Sequence, residues 1–104
     1  MRINQKELDS VIAYLQTHNR VECNPYPIYD DEIYRALGML RTDSNYLRNW
    51  EKIEEKPIEE MTRREVATML TFITRGERFC DGHIAGYVES GELLRLMLRL
   101  RELA

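Results

Sequence analysis

The last stretch of the chain constrains its fold more than any other. Residues 92–103 read ELLRLMLRLREL, with leucine or methionine at 93, 94, 96, 97, 98, 100 and 103. A helix built from this segment is apolar over far more than one stripe. Such a helix is either central in a core or shared with a second subunit. Arg95, Arg99 and Arg101 leave it only a narrow polar edge. At 104 residues the chain has the size of one ordinary domain, so residues 1–104 are read as a single helical domain whose upstream segments must cover this helix.

Those segments carry local helix signals. Asn4 is placed to cap a first helix, with Glu7 at its third position and Ile3 and Leu8 spaced as a hydrophobic staple. Leu8, Val11, Ile12 and Leu15 then form one apolar stripe that fades near His18-Asn19. Residues 19–29 read as a loop, because Pro25 and Pro27 flank Tyr26. A second helix is expected from Asp30, with Asp31 and Glu32 in its first turn and Ile33, Leu37 and Leu40 inward. Thr42 or Asp43 should cap a third, with Tyr46, Leu47, Trp50 and Ile53 as its apolar face and an end before Pro57. Thr62-Arg63-Arg64-Glu65 is a capping box, stapled by Met61 and Val66, and this helix stops at Arg75-Gly76. Gly76 is read as the left-handed residue after the last turn. A fifth helix is expected from about Glu77 to Glu89, and Ser90-Gly91 separates it from the last. No segment reads as a strand. The expected fold is all-α, a single-domain bundle of five to six short helices in orthogonal or irregular packing.

Composition excludes several classes. The chain is 43% hydrophobic and 32% charged, a globular balance. Its net charge of −3 lacks the basic excess by which nucleic-acid binders neutralise phosphate. A helix-turn-helix over residues 30–56 fits in outline, but Glu51, Glu54 and Glu55 on its second helix would repel DNA. No stretch approaches the roughly 20 apolar residues that cross a bilayer, so no membrane partner is expected. Residues 1–5 do not read as a signal peptide, and Cys23 and Cys80 do not read as a disulfide framework. We therefore expect a cytoplasmic protein with no cofactor.

Reactive side chains concentrate at Arg75-Gly76-Glu77-Arg78-Phe79-Cys80-Asp81-Gly82-His83. A helix starting there offers free N–H groups to phosphate or carboxylate, aided by Arg75 and Arg78. Against this, Glu77 can occupy the helix end itself. Cys80 and His83, three apart, share a helix face, and with His18 and Cys23 they make the residue set of many zinc sites, though without a family spacing. Cys80 also aligns with Ile84 and Tyr87 as a buried thiol would. A Cys80 nucleophile with His83 as base lacks an orienting group, because Asp81 points elsewhere on a helix. Gly82, Gly86 and Ser90 lie four apart, which reads as a face approached closely by another helix. Tyr26 and Tyr29 sit in a loop, where tyrosines either mark contact surfaces or cover a core edge.

The run from Thr74 to Gly82, followed by Val88-Glu89-Ser90-Gly91 and the leucine-arginine helix, resembles a family of small bacterial all-helical proteins of unknown function. The resemblance covers roughly the C-terminal third. It implies an Arg-Gly-Glu-Arg-Phe-Cys-Asp-Gly hallmark turn and no assigned activity. No catalytic or metal-ligating residue is assigned. Two functions follow as expectations. The first is a non-enzymatic interaction module, with a protein partner or a homodimer through the helix Glu92–Leu103. The second is a phosphate- or nucleotide-type ligand site, or an enzyme, built on Arg75, Glu77, Arg78, Asp81 and His83.

Overall fold

The computed structural model describes residues 3–104. The first two residues of the segment read against a signal peptide lie outside that range. Six α-helices follow one another: α1 (Gln5–Thr17), α2 (Asp31–Leu37), α3 (Tyr46–Glu54), α4 (Arg63–Gly76), α5 (His83–Glu89) and α6 (Glu92–Leu103), with a 3₁₀ turn, Ile58–Glu60, between α3 and α4. Among the described residues there is no strand, only an isolated antiparallel bridge between Cys23 and Pro27.

The caps read from sequence do their work. Asn4 accepts from the Glu7 N–H at 3.2 Å. Thr62 and Glu65 form the reciprocal box, with the Glu65 N–H on Thr62 Oγ1 at 3.2 Å and the Thr62 N–H on Glu65 Oε1 at 2.9 Å. Helix α6 is central. Leu93, Leu96, Met97 and Leu100 are buried on it, against α1, α4, α5 and the 3₁₀ turn. Leu94 and Leu98 pack partly buried on the same core, so most of its apolar surface is covered within the chain. Each fully buried leucine or methionine contributes roughly 1.5–3 kcal/mol. The radius of gyration, 12.9 Å, matches the ~13 Å expected of one compact body of this length.

Five local expectations need correction. Helix α3 begins at Tyr46 with Asn45 in the cap position, not Thr42 or Asp43. Asp43 is drawn instead to α4: its carboxylate accepts from Thr68 Oγ1 at 2.6 Å and its N–H donates to Thr71 Oγ1 at 2.9 Å. The Thr68 hydroxyl foremost, with the Asn45 N–H and the Asn49 amide, outweighs burial and holds its carboxyl below the usual range. Leu47 is 71% exposed rather than inward, because the shorter helix buries Tyr46 and Ile53 and stacks Trp50 on Phe72 at 4.3 Å between ring centres. Helix α2 ends at Leu37, and Met39 and Leu40 are buried from the turn that follows. Helix α5 begins at His83, six residues later than expected, and the left-handed glycines are Gly82 (φ 91°) and Gly91 (φ 83°), not Gly76.

The loop before α2 is clasped onto α5. The Val21 N–H donates to Glu89 Oε2 at 3.0 Å, at one end of α5. Tyr29 accepts from the Ala85 N–H at 3.2 Å at the other. Between these anchors the chain turns back on itself, its neck closed by the Ile28 N–H on the Glu22 carbonyl at 2.9 Å.

Candidate functional site

Between α4 and α5 the chain makes a tight turn whose backbone donors return inward. The N–H groups of Arg78, Phe79 and Cys80 bond to the carbonyls of Arg75 and Gly76 at 3.1–3.2 Å. The segment read as a helix start is thus the carbonyl end of α4, where backbone dipoles repel anions. The true N-terminus of α5 is occupied by Glu77. Its carboxylate accepts from the Gly82 N–H at 3.0 Å, the Ile84 N–H at 2.8 Å and the Tyr29 hydroxyl at 2.9 Å. The His83 N–H bonds to the Cys80 carbonyl, and the Ala85 N–H to Tyr29. The N–H groups of residues 82–85 are therefore satisfied from within, and an anion from solution finds no open donor there. Burial alone would raise the Glu77 carboxyl, but these bonds outweigh it and hold the group below its usual range. Tyr29, partly buried and donating to that carboxylate, is pushed well above the ordinary phenol range.

The remaining candidates disperse. The Arg75 guanidinium lies over the Tyr46 ring at 5.4 Å. Arg78, Asp81 and Cys80 are exposed, so Cys80 is not the core thiol its alignment with Ile84 suggested. Phe79 is 86% exposed. His83 turns the other way, with its ring edge-on to both Phe72 and Tyr87 at 5.2 Å. Its Nε2 is buried with no hydrogen-bond partner. Its ring lies so close to Gly76 that any Cβ there would overlap it. Gly76 is thus needed for close approach, not for a left-handed turn. His18 stacks on Tyr14 at 4.3 Å. Among the described residues no three His, Cys, Asp or Glu side chains converge on a metal position.

His83 leads instead to an open groove of about 610 Å³. Its floor is apolar, from Ile58, Met61, Met69 and Leu96, all buried. One wall is α5, presenting Gly82, Gly86, Ser90 and the ring of Tyr87. The rim opposite comes from the α3–3₁₀ connection with Glu54 and Lys56, and one end from Glu92 and Arg95 at the start of α6. The cations here are already engaged. Lys56 pairs with Glu65 at 2.7 Å, and one Arg95 nitrogen bridges both oxygens of Glu59 at 2.7 and 2.8 Å. Burial raises the Tyr87 hydroxyl, and the carboxylates of Glu92 and Glu54 push it further, so it stays protonated.

The row Gly82, Gly86, Ser90 was expected to receive another helix. Among the described residues none packs on its two glycines. A Cβ built on Gly82 or Gly86 would meet nothing within 4 Å. The spacing was legible, but what faces it depended on where α3 and α6 end. Tyr87, Glu54 and Glu92 carried no sequence signal as a group, because they come together only in the folded chain.

Residues 2–104 match a Family of unknown function (DUF6508). The chain belongs to that family. The match spans nearly every residue, and its description as a family of unknown function agrees with the unknown role that the resemblance implied. DUF6508 membership brings no activity with it. No curated protein and no solved structure matches. What this DUF6508 chain can do is therefore argued from the groove.

Proposed function

We propose that this protein is a non-enzymatic interaction module and that a helical segment of a partner protein docks in the groove along α5. Gly86 carries the reading. A glycine inside a helix costs about 1 kcal/mol relative to alanine, and here no turn or internal contact requires one. What its bare backbone permits is close approach from outside, across an apolar floor already shaped. Rows of small residues four apart let helices pack with backbones near each other. Self-association through α6 has less to offer, because its outer residue is Leu103, 38% exposed, and Leu94 and Leu98 already pack on their own core. The Arg75–His83 ligand reading has an exposed Arg78, an Arg75 laid on Tyr46 and no open backbone donor.

The test uses overlapping peptides displayed from the proteome of the encoding organism, selected on this protein and counter-selected on Gly86→Arg. The expected result is peptides that bind, perturb the amide resonances of Gly82, Gly86 and Ser90, and weaken about tenfold or more on Gly86→Arg. The variant should unfold at the same temperature as the parent or higher. Peptides indifferent to Gly86→Arg, or none at all, overturn the proposal.

A further inference from the structure

The charges that line the groove are balanced in number and unbalanced in availability. Lys56 and Arg95 already hold Glu65 and Glu59, which lie outside the lining. An acidic ligand would meet cations whose charge is already offset by a carboxylate. Among the described residues, Glu54 and Glu92 have neither an ion-pair partner nor a hydrogen-bond donor on their carboxylates. Glu54 is moreover the last residue of α3, the carbonyl end of a helix, where a carboxylate is disfavoured. Tyr87, a neutral ring in the α5 wall, lines the same groove. Two open carboxylates, an aromatic ring and an apolar floor are the chemistry that receives a cation on an aliphatic stem.

We infer that the segment docked in the groove presents a lysine or arginine whose cationic end lies among Glu54, Glu92 and Tyr87, with its methylenes on the floor formed by Met61, Met69 and Leu96. The inference rests on the docking reading above and names its chemistry. Small Gly86 and Ser90 leave the approach to Tyr87 unobstructed on the α5 side. The apolar floor favours a long stem over a bare ammonium ion. Partial desolvation in the groove strengthens a charge pair beyond its worth on an open surface.

Fixed probes test it: hexylguanidinium and hexanoate, titrated into the whole protein and followed by amide and Tyr87 ring resonances. Hexylguanidinium should shift Gly86, Tyr87 and Glu92 and bind about tenfold tighter than hexanoate. The preference should fall about tenfold in the double variant Glu54→Gln/Glu92→Gln, and it should weaken with added salt. Far-UV circular dichroism and the unfolding temperature show whether that variant is folded, and Glu55→Gln, just outside the lining, serves as the matched surface control. Equal binding of the two probes, or a preference that survives the double variant, overturns the cation while selected peptides that still dock leave the groove in place. Failure of every peptide to dock overturns the docking reading itself, and this inference with it.

Discussion

Helices α5 and α6 pack side by side and are treated in opposite ways. Helix α6 has more apolar side chains than one stripe needs, and the fold turns nearly all of them inward, against α1, α4, α5 and the 3₁₀ turn. Helix α5 buries only Ile84 and Val88, and it leaves Gly82, Gly86 and Ser90 facing open space. The first is held by what it buries. The second is too short to stand on burial and is held by its ends, through Glu77 and Tyr29 at one and Val21 on Glu89 at the other. A helix fixed at its termini can leave a face unpacked, and that face is free for something other than folding.

Substitutions can break or sharpen this contrast. The largest effect belongs to α6: Leu93→Ala should destabilise by about 2–5 kcal/mol in chemical denaturation, the range for deleting a fully buried leucine. An effect below about 1 kcal/mol would mean that α6 is not the centre of the core. Next is Glu77→Gln. The amide cannot accept from both the Gly82 and Ile84 N–H groups and from Tyr29, so one donor is stranded at about 1–3 kcal/mol. This loss carries a pH signature. The folded Glu77 carboxyl lies below its ordinary value, as does that of Asp43. Their stabilisation is therefore complete above the unfolded carboxylate pKa, near 4, and is lost as pH falls through the depressed folded values. Unfolding free energy measured from pH 7 to pH 2 should hold level down to about pH 5 and then decline, and Glu77→Gln should decline less. A parallel acid limb in both proteins would show that Glu77 does not hold α5 by charge.

The smallest effect has the opposite sign. Gly86→Ala should stabilise by about 1 kcal/mol, because alanine is the better helix former and its methyl meets nothing. If Gly86→Ala destabilises instead, α5 is packed on both sides and the contrast with α6 disappears. Gain of stability with loss of peptide binding in the bulkier Gly86→Arg would separate folding from function at one position.

How much of this was legible follows from the range of each interaction. The caps at Asn4 and Thr62–Glu65 are settled within four residues, and sequence spacing finds them. The stripe of α1, Leu8, Val11, Ile12 and Leu15, is as local, and spacing finds it too. The start of α5 was not. Glu77 reads as a first-turn acid of its own helix, but its carboxylate is shared with Tyr29, 48 residues away, and that bond is part of what places the helix start at His83. Gly76 and Gly82 exchanged roles for a related reason: the requirement at Gly76 is the ring of His83, which no spacing rule aims at it. The row Gly82, Gly86, Ser90 was seen, but periodicity names a face and not its neighbour. The groove belongs to that second kind of information, since its rim, floor and end come from α3, the 3₁₀ turn, α4 and α6.

The clasped loop before α2 has a use of its own. Because Val21 and Tyr29 grip opposite ends of one helix and the neck closes at Glu22 and Ile28, the tip around Asn24 and Tyr26 hangs outside the network that keeps the bundle together. Lengthening a closed loop adds only about 0.6 kcal/mol for each doubling of its length. The tip is thus a splice point, where a fluorophore, an epitope or a whole guest domain can be grafted into the middle of the chain while the groove on the far flank of α5 keeps its shape.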